Sequence, residues 1–425
     1  MTTLTAGPRP GGGLLRHRDF RLFWAGQTAS RLGSSITSVA LPLVAVGTLG
    51  ASTLQVALLQ AAVWAPWLLI GLPAGVWVDR LPRRPVLIAC DLVGLLLFLS
   101  VPAAAWLGVL GIGHLLAVAF LAGVVSVFFE TAYQVYLPSL LATDRLAEGN
   151  AKLQGSEAAA QVAGPGAAGL LAQAFGAVYG LLADALSFLI SGICLLTMRH
   201  REPPRVAAAE RRSLRAEIGT GLRFLLRDPY LRVMAGYGAV SNLALHGYQA
   251  ILIVFLVREV GISPGTVGVV VAAMSTGGVL GAVLATRVAR RFGTAHGMLL
   301  CQMGAAPFAL LIPMTGTGPR LALLVVAGVA LGTGVVAGNV IKGSFRQAYT
   351  PRHLLGRVLT SMQLLNYGTI PLGALLGGVL GSTLGLRPAL WLTTGLVVAA
   401  TGILLIGPMR RHRDLPAAPR SPAAP

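Results

Sequence analysis

Two charged side chains stand out because they interrupt long apolar stretches. Arg31 and Glu130 each lie inside a run of apolar residues. Arg31 lies eleven residues after Phe20, where the first run is entered, and Glu130 lies eleven residues before Leu141, where the fourth run is left. We place these two points on the same side of the membrane, so the two charges should lie at similar depth. A charge inside a bilayer costs about 2.5–3.5 kcal/mol, so it normally faces a cavity or a partner. A carboxylate that loses a guanidinium partner changes its proton affinity. The two residues are candidates for reversible proton binding, with a fixed structural ion pair as the alternative.

Further polar residues recur at helical spacing in the apolar stretches. They are Gln27 before Arg31, Tyr133 and Gln134 after Glu130, the series Asn242, His246 and Gln249, and the series Asn339, Lys342 and Arg346. Residues three, four or seven positions apart lie on one face of a helix. Each group could therefore line a cavity with polar atoms.

Three of these residues have open alternatives. His246 lies about midway along its stretch, where an imidazole could titrate near neutral pH, although a neutral hydrogen-bonding side chain is the more common role. Lys342 and Arg346 could present positive charge to an anionic ligand such as a carboxylate or catecholate. Alternatively, their long side chains could extend to the membrane surface.

The composition identifies the elements that must position these side chains. Of the 425 residues, 55% are hydrophobic and 11% are charged, whereas about 25% are charged in soluble domains. Twelve stretches between Trp24 and Ile406 have the roughly 20 apolar residues that a spanning helix needs; the fifth is expected at Leu153–Phe175 and the ninth at Gly297–Met314. The fold class predicted is an all-α membrane protein with twelve transmembrane helices.

The basic residues predict the orientation of these helices. The net charge of +19 would suggest nucleic acid binding in a soluble protein, but here the charge is confined to short loops. Arginines cluster before the first stretch and in the segments that follow the second, eighth, tenth and twelfth stretches. The loops on the opposite side contain only Arg258, Arg320 and Arg387. Because positive loops stay inside, both termini are predicted to be cytoplasmic. The partner expected is the lipid bilayer, and no nucleic acid is expected.

Two segments 206 residues apart indicate an internal repeat. The polar segment that begins at Gly75 recurs in part at Gly281, and Pro165 matches Pro371 at the same offset. Such parallel repeats occur in transporters whose halves are related by an axis along the membrane normal. We therefore predict pseudo-two-fold symmetry. The predicted division is residues 1–198 for the first six-helix half, 199–228 for a basic linker with a short surface helix, 229–409 for the second half and 410–425 for a basic tail.

Three motifs carry a resemblance to a known family. They are the hinge motif of Gly75, Asp79, Arg80, Arg83 and Arg84, the Gly-Pro motif of Gly164, Pro165 and Gly169, and the run from Phe128 to Pro138 with its sequel from Asp144 to Asn150. From about Phe20 to Met409, the chain resembles the major facilitator superfamily. The third motif is similar to the branch that holds siderophore exporters and macrolide-efflux proteins.

The resemblance implies a function and roles for residues. It implies a secondary transporter that exports a drug-like metabolite or siderophore by proton antiport, as a monomer, with alternating access. Helices 1, 4, 7 and 10 line the central cavity in this family, so Arg31 and Glu130 are the expected coupling pair. The Gly-Pro motif implies a local break in helix 5 that lets helix 8 approach.

The hinge motif implies a gate on the cytoplasmic side. Asp79 would accept hydrogen bonds from the start of helix 11, near Gly356 to Val358, because the N-terminus of a helix attracts negative charge. The arginines would brace the loop and fix the topology. Ala285 stands at the matching position of the second half, so the gate is expected on one side only.

The sequence also bears on the function classes other than export. It contains no Walker-type nucleotide motif, metal-ligand cluster or Ser-His-Asp arrangement, so neither an enzyme nor a cofactor nor a metal is expected. Nutrient uptake by the same fold and a membrane sensor that transports nothing are the alternatives to export. The chain has two lysines against many arginines, alanines and glycines, which suggests a bacterial source and hence the cytoplasmic membrane.

Overall fold

The computed structural model describes residues 14–78, 80–200 and 214–416. Its α-helices are α1 (Arg18–Leu43), α2 (Thr53–Val78), α3 (Arg83–Trp106), α4 (Ile112–Leu140), α5 (Leu146–Ala174), α6 (Val178–Thr197), α7 (Leu214–Arg227), α8 (Pro229–Arg258), α9 (Pro264–Phe292), α10 (Thr294–Ala305), α11 (Leu321–Tyr349), α12 (Arg352–Thr383) and α13 (Leu386–Ile406). In this part of the chain, eleven helical spans are long and apolar enough to cross a membrane.

The twelfth long helix is α5, whose first half carries Glu148, Lys152 and Glu157. Its 29 residues exceed the roughly 20 that a bilayer requires. The prediction of an all-α membrane protein with twelve long helices is thus confirmed. Since a bilayer leaves backbone groups no water to bond, helices that satisfy their own backbone are the expected solution.

Several helix boundaries differ from those predicted, among them those of the fifth and ninth spans. α5 begins at Leu146, seven residues before the predicted start, because its charged first two turns remain helical outside the apolar stretch. α10 ends at Ala305, and the chain continues as a 3₁₀ helix over Ala306–Leu311. The short helix expected between the sixth and seventh spans is α7, which packs on α12 and α8.

Local chemistry explains where α8 and α9 begin. The Asp228 carboxylate accepts hydrogen bonds from the backbone of Tyr230 and Leu231, both at 2.9 Å, and Pro229 occupies the first turn. Ser263 caps α9 in the same way, by accepting a bond from the backbone of Thr266. Such caps satisfy the free N–H groups of a helix start. They fix the entry points of the two helices, of which α8 borders cavities described below.

The long helices form two groups in the order of the chain. In the first group α1 packs on α5 and α6, α2 on α4, and α3 on α4 and α6. In the second, α8 packs on α12 and α13, and α11 packs on α9 and α10. The two groups meet mainly through α2 with α12 and through α5 with α9. The exact residue limits of the halves and their symmetry stay predictions.

The two ends of the bundle differ in chemistry. We call the end where α1, α3 and α5 begin the basic end, and the end where α2, α4 and α9 begin the far end. At the far end the two groups touch: Arg258 Nη2 donates to the Ala51 carbonyl at 2.6 Å, and Ser263 Oγ donates to Gln173 Oε1 at 3.4 Å. The two groups are therefore in contact at the far end.

The Gly-Pro motif contributes to the contact between the two groups at the far end, and its helix stays continuous. α5 is continuous from Leu146 to Ala174 with Pro165 inside it, so the predicted local break is wrong. Tight packing on both sides supports the helix, as is usual for proline in membrane helices. Gly164 faces Ser35 of α1, and a Cβ atom at Gly169 would lie 2.7 Å from the Pro264 carbonyl of α9. The glycines let α5 approach both neighbours closely.

Candidate functional site

Three cavities lie among the helices and meet at their edges. The acidic cavity, of about 410 Å³, is lined by Arg31, Glu130, Tyr133, Gln134 and Glu157. The cationic cavity, also about 410 Å³, is lined by Asn242, His246, Asn339, Lys342 and Arg346. The apolar cavity, about 470 Å³, is lined by residues that include Phe98, Phe129 and Phe188. Their sizes fall within the range of small-molecule pockets.

An aromatic cluster stands where the cavities meet. The ring of Tyr367 on α12 lies 5.6 Å from that of Trp64 and 5.0 Å from that of Trp67, both on α2. The His246 ring lies 6.2 Å from the Trp64 ring. Tyr367 lines both the acidic and the cationic cavities, and Trp64 lines the acidic and the apolar ones. The cluster therefore lies at the boundaries between the cavities.

The acidic cavity contains an ion pair. Arg31 Nη2 of α1 lies 2.5 Å from Glu130 Oε1 of α4, and both side chains are partly exposed to the cavity. The guanidinium also lies 5.7 Å from the centre of the Tyr133 ring, which stacks on Phe23. Such a cation–π contact holds the arginine in place without neutralising it. The geometry allows the carboxylate to be released while the guanidinium stays supported.

The cationic cavity holds two positive side chains on α11. Lys342 Nζ lies 5.0 Å from the centre of the Tyr237 ring. Arg346 Nη1 lies 3.3 Å from the Met362 sulfur. The Tyr237 hydroxyl donates to Gln302 Oε1 at 2.5 Å, which fixes the ring beneath the ammonium. The two basic side chains therefore stay in the cavity wall and do not extend to the membrane surface.

Comparison with known proteins identifies the family. The profile of the transmembrane secretion effector family, within the major facilitator superfamily, matches residues 13–423. The chain belongs to this family. It is 29% identical to the multidrug efflux pump Tap of Mycolicibacterium fortuitum over 91% of this chain and 95% of Tap. It is 25% identical to the enterobactin exporter EntS of Escherichia coli over 95% of each chain. The protein is thus a membrane transporter of the exporter kind, and not an enzyme.

Solved structures agree with the fold. The nucleoside transporter NupG superposes with a TM-score of 0.73 at 13% identity, covering 92% of this chain and 99% of NupG. A bacterial homologue of the iron transporter ferroportin, in its inward-facing state, superposes with a TM-score of 0.72 at 17% identity, covering 93% and 99%. This member of the secretion effector family therefore has the major facilitator fold.

The structure places most predicted cavity residues of this transporter in cavity walls. Those are Arg31, Glu130, Tyr133, Gln134, Asn242, His246, Asn339 and Lys342. Gln27 is different: only 3% of it is exposed, and it lines none of these three cavities. At this level α1 packs closely on its neighbours, since Trp24 bonds to the Lys152 carbonyl of α5 and Gly26 faces Ser191 of α6. The prediction that Gln27 faces the cavity is wrong.

The hinge motif lies at the basic end of the same transporter. Asp79 lies outside the described residues. Gly75 lies in the last turns of α2, Arg80 is exposed in the turn, and Arg83 begins α3. Arg84 donates to the carbonyls of Leu195 at 3.0 Å and Met198 at 2.8 Å, so it caps the end of α6 within the first group.

Sequence reasoning missed the aromatic cluster and several polar cavity residues. Trp64, Trp67 and Tyr367 stand in apolar stretches, where an aromatic residue does not differ in pattern from one that faces lipid. Gln302 and Asn366 are isolated amides on α10 and α12. The spacing of Trp64 and Trp67, three positions apart on one face of α2, is the only signal that could have identified the cluster.

Proposed function

We propose that this transporter exports a small organic molecule in exchange for protons, with Glu130 as the proton-binding group and Arg31 as its partner. The Arg31–Glu130 ion pair in the wall of the acidic cavity carries the proposal. Protonation of Glu130 removes the charge that holds Arg31, and deprotonation restores it. Each proton that binds or leaves thus breaks or remakes a contact between α1 and α4.

Alternating access follows from the packing of the two groups. The far end is closed by the contacts of Arg258 with Ala51 and of α5 with α9, which supports an inward-facing arrangement with the basic end in the cytoplasm. Both termini are then cytoplasmic. In the outward-facing state these far-end contacts open, and Asp79 closes the basic end against the start of α12. The protein works as a monomer in the bacterial cytoplasmic membrane.

The cargo is a drug-like metabolite or a siderophore. The relatives Tap and EntS are named for multidrug efflux and enterobactin export. Cavities of about 410 and 470 Å³ joined at an aromatic cluster can hold a molecule with several rings. Flat rings stack on Trp and Tyr with centroids about 4.5–7 Å apart, which suits both kinds of cargo.

The variant Glu130→Gln tests this mechanism in proteoliposomes with an imposed pH gradient. Wild-type protein should accumulate enterobactin against its gradient, and Glu130→Gln should reduce this to the level of protein-free liposomes while binding is largely kept. Glu259→Gln serves as the control, because its pair with Arg387 lies outside the three cavities. Normal proton-driven export by Glu130→Gln would remove Glu130 from the mechanism.

A further inference from the structure

The acidic and cationic cavities carry opposite charges. The walls of the acidic cavity contain Glu130 and Glu157 against one cation, Arg31. The walls of the cationic cavity contain Lys342 and Arg346 and no carboxylate. An anion is therefore repelled on one side of the aromatic cluster and attracted on the other. The asymmetry gives a bound molecule a preferred orientation if it is charged.

The two cations have no carboxylate partner among the residues that the structure describes. Among the side chains that the structure describes, no carboxylate lies within 4.0 Å of Lys342 or Arg346. Lys342 contacts a tyrosine ring, and Arg346 contacts a thioether sulfur. A charge inside a membrane protein normally pairs with another or with backbone carbonyls. Two adjacent cations in one cavity wall are an arrangement that a bound anion would complete.

Unused hydrogen-bond donors point to the same ligand. Arg346 Nε and Gln302 Nε2 are buried without a hydrogen-bond acceptor, and both residues line the cationic cavity. A buried donor without an acceptor costs about 1–3 kcal/mol. Nitrogen donors and positive charges together require a ligand that offers acceptors and negative charge. A guanidinium binds a planar carboxylate through two parallel bonds.

We propose that the cationic cavity binds the anionic group of the exported molecule, with Lys342 and Arg346 as its charge partners. The cargo is then an aromatic organic anion, such as an aryl carboxylate or a catecholate. Its charged end lies beside α11, and its rings lie against Tyr367 and Trp64. This inference rests on the proposed export function and specifies the cargo that the same cavities accept.

The lysine content of the chain permits a direct test. The chain has only two lysines, and Lys152 lies at the basic end within 3.7 Å of Glu148. An aryl aldehyde forms an imine with a lysine amine and releases water, and borohydride reduces the imine to a stable secondary amine. The purified full-length protein is treated with 4-carboxybenzaldehyde, which is anionic, or with its neutral analogue 4-formylbenzamide. Mass spectrometry of peptides then measures the labelling of Lys342 relative to Lys152.

The measured quantity is the ratio of labelling at Lys342 to labelling at Lys152. This ratio should be about tenfold higher with the anionic reagent than with the neutral one, which is the factor expected for a charge-assisted hydrogen bond. Arg346→Gln should abolish the preference, and Arg346→Lys should retain most of it. Arg223→Gln, on α7 outside the three cavities, is the matched control and should behave as wild type. Size-exclusion profiles establish that each variant is folded.

Competition distinguishes a soluble anion from a lipid headgroup. Benzoate should protect Lys342 from the anionic reagent, whereas benzamide and phosphatidylglycerol should not. Equal labelling by both reagents in the wild type, or protection by phosphatidylglycerol alone, would overturn the proposal. Export of a cargo by proton antiport does not depend on this result, so a failed labelling test and a failed Glu130→Gln test are separate outcomes.

Discussion

The two charged clusters differ in how their charges are compensated. Glu130 has a guanidinium at 2.5 Å, whereas Lys342 rests on an aromatic ring. A further intramembrane carboxyl group, that of Asp184 on α6, accepts hydrogen bonds from Thr37 at 2.6 Å and Ser187 at 3.0 Å. Thr37 belongs to α1, and Ser187 belongs to α6, the helix of Asp184 itself. Asp184 is thus held by neutral hydroxyl groups, whereas Glu130 is held by a guanidinium. Asp184 joins α1 to α6.

Thr37→Val tests this structural role. The substitution keeps the shape of the side chain and removes the donor that reaches Asp184, so the buried carboxyl loses one of its two bonds. The expected cost is about 1–3 kcal/mol of unfolding free energy, seen as a lower melting temperature in detergent. Thr28→Val is the control, because Thr28 bonds only to the Trp24 carbonyl of its own helix. Equal melting temperatures for both variants would contradict the role.

Residue types in the sequence were sufficient to find some of these side chains and not others. Arg31, Glu130 and Lys342 could be identified because a charged side chain in an apolar stretch costs free energy on any face of its helix, so it needs a functional or structural reason. Tyr367 could not, because an aromatic ring is equally stable against lipid and in a cavity. Gln27 shares a helical face with Arg31, yet spacing does not show that neighbouring helices cover it one turn away.

Close approaches between α5 and α9 join the two groups at the far end. Gly169 and Gly268 face each other, and a Cβ atom on either would meet the other's backbone. Glycine pairs of this kind let membrane helices pack closely. In the sequence, Pro165 indicates that the packing of α5 is unusual. The structure shows that the glycines beside this proline make the close approaches to α1 and α9. Helix number was predictable, because it depends on apolar length alone.

Gly169→Leu should therefore open the far end. A larger side chain separates α5 from α9 and favours the outward-facing state. In right-side-out vesicles, a cysteine introduced at Gln60, in the apolar cavity, should react with a membrane-impermeant maleimide several-fold faster than in the parent protein. Gly155→Leu is the matched control, because Gly155 lies on the same helix and faces open space. An unchanged rate in Gly169→Leu would show that these glycines do not hold the far end closed.

The molecule as a whole combines contact between the two groups at the far end with polar cavities towards the basic end, and we predict from the arginine distribution that the basic end lies in the cytoplasm. A cysteine introduced at Gln154, in the acidic cavity, should thus react with the impermeant maleimide in inside-out vesicles and not in right-side-out vesicles. Ser52→Cys, in the exposed loop at the far end, should give the reverse pattern and verifies vesicle orientation.

The same labelling measures the balance between the two states. Asp79→Asn should weaken the closure of the basic end and so raise the labelling rate at position 154, because a neutral amide binds a helix N-terminus less strongly than a carboxylate. An unchanged rate would show that Asp79 does not hold the basic end closed. Reaction of the position-154 cysteine from the outer side alone would instead reverse the orientation, and with it the direction of export.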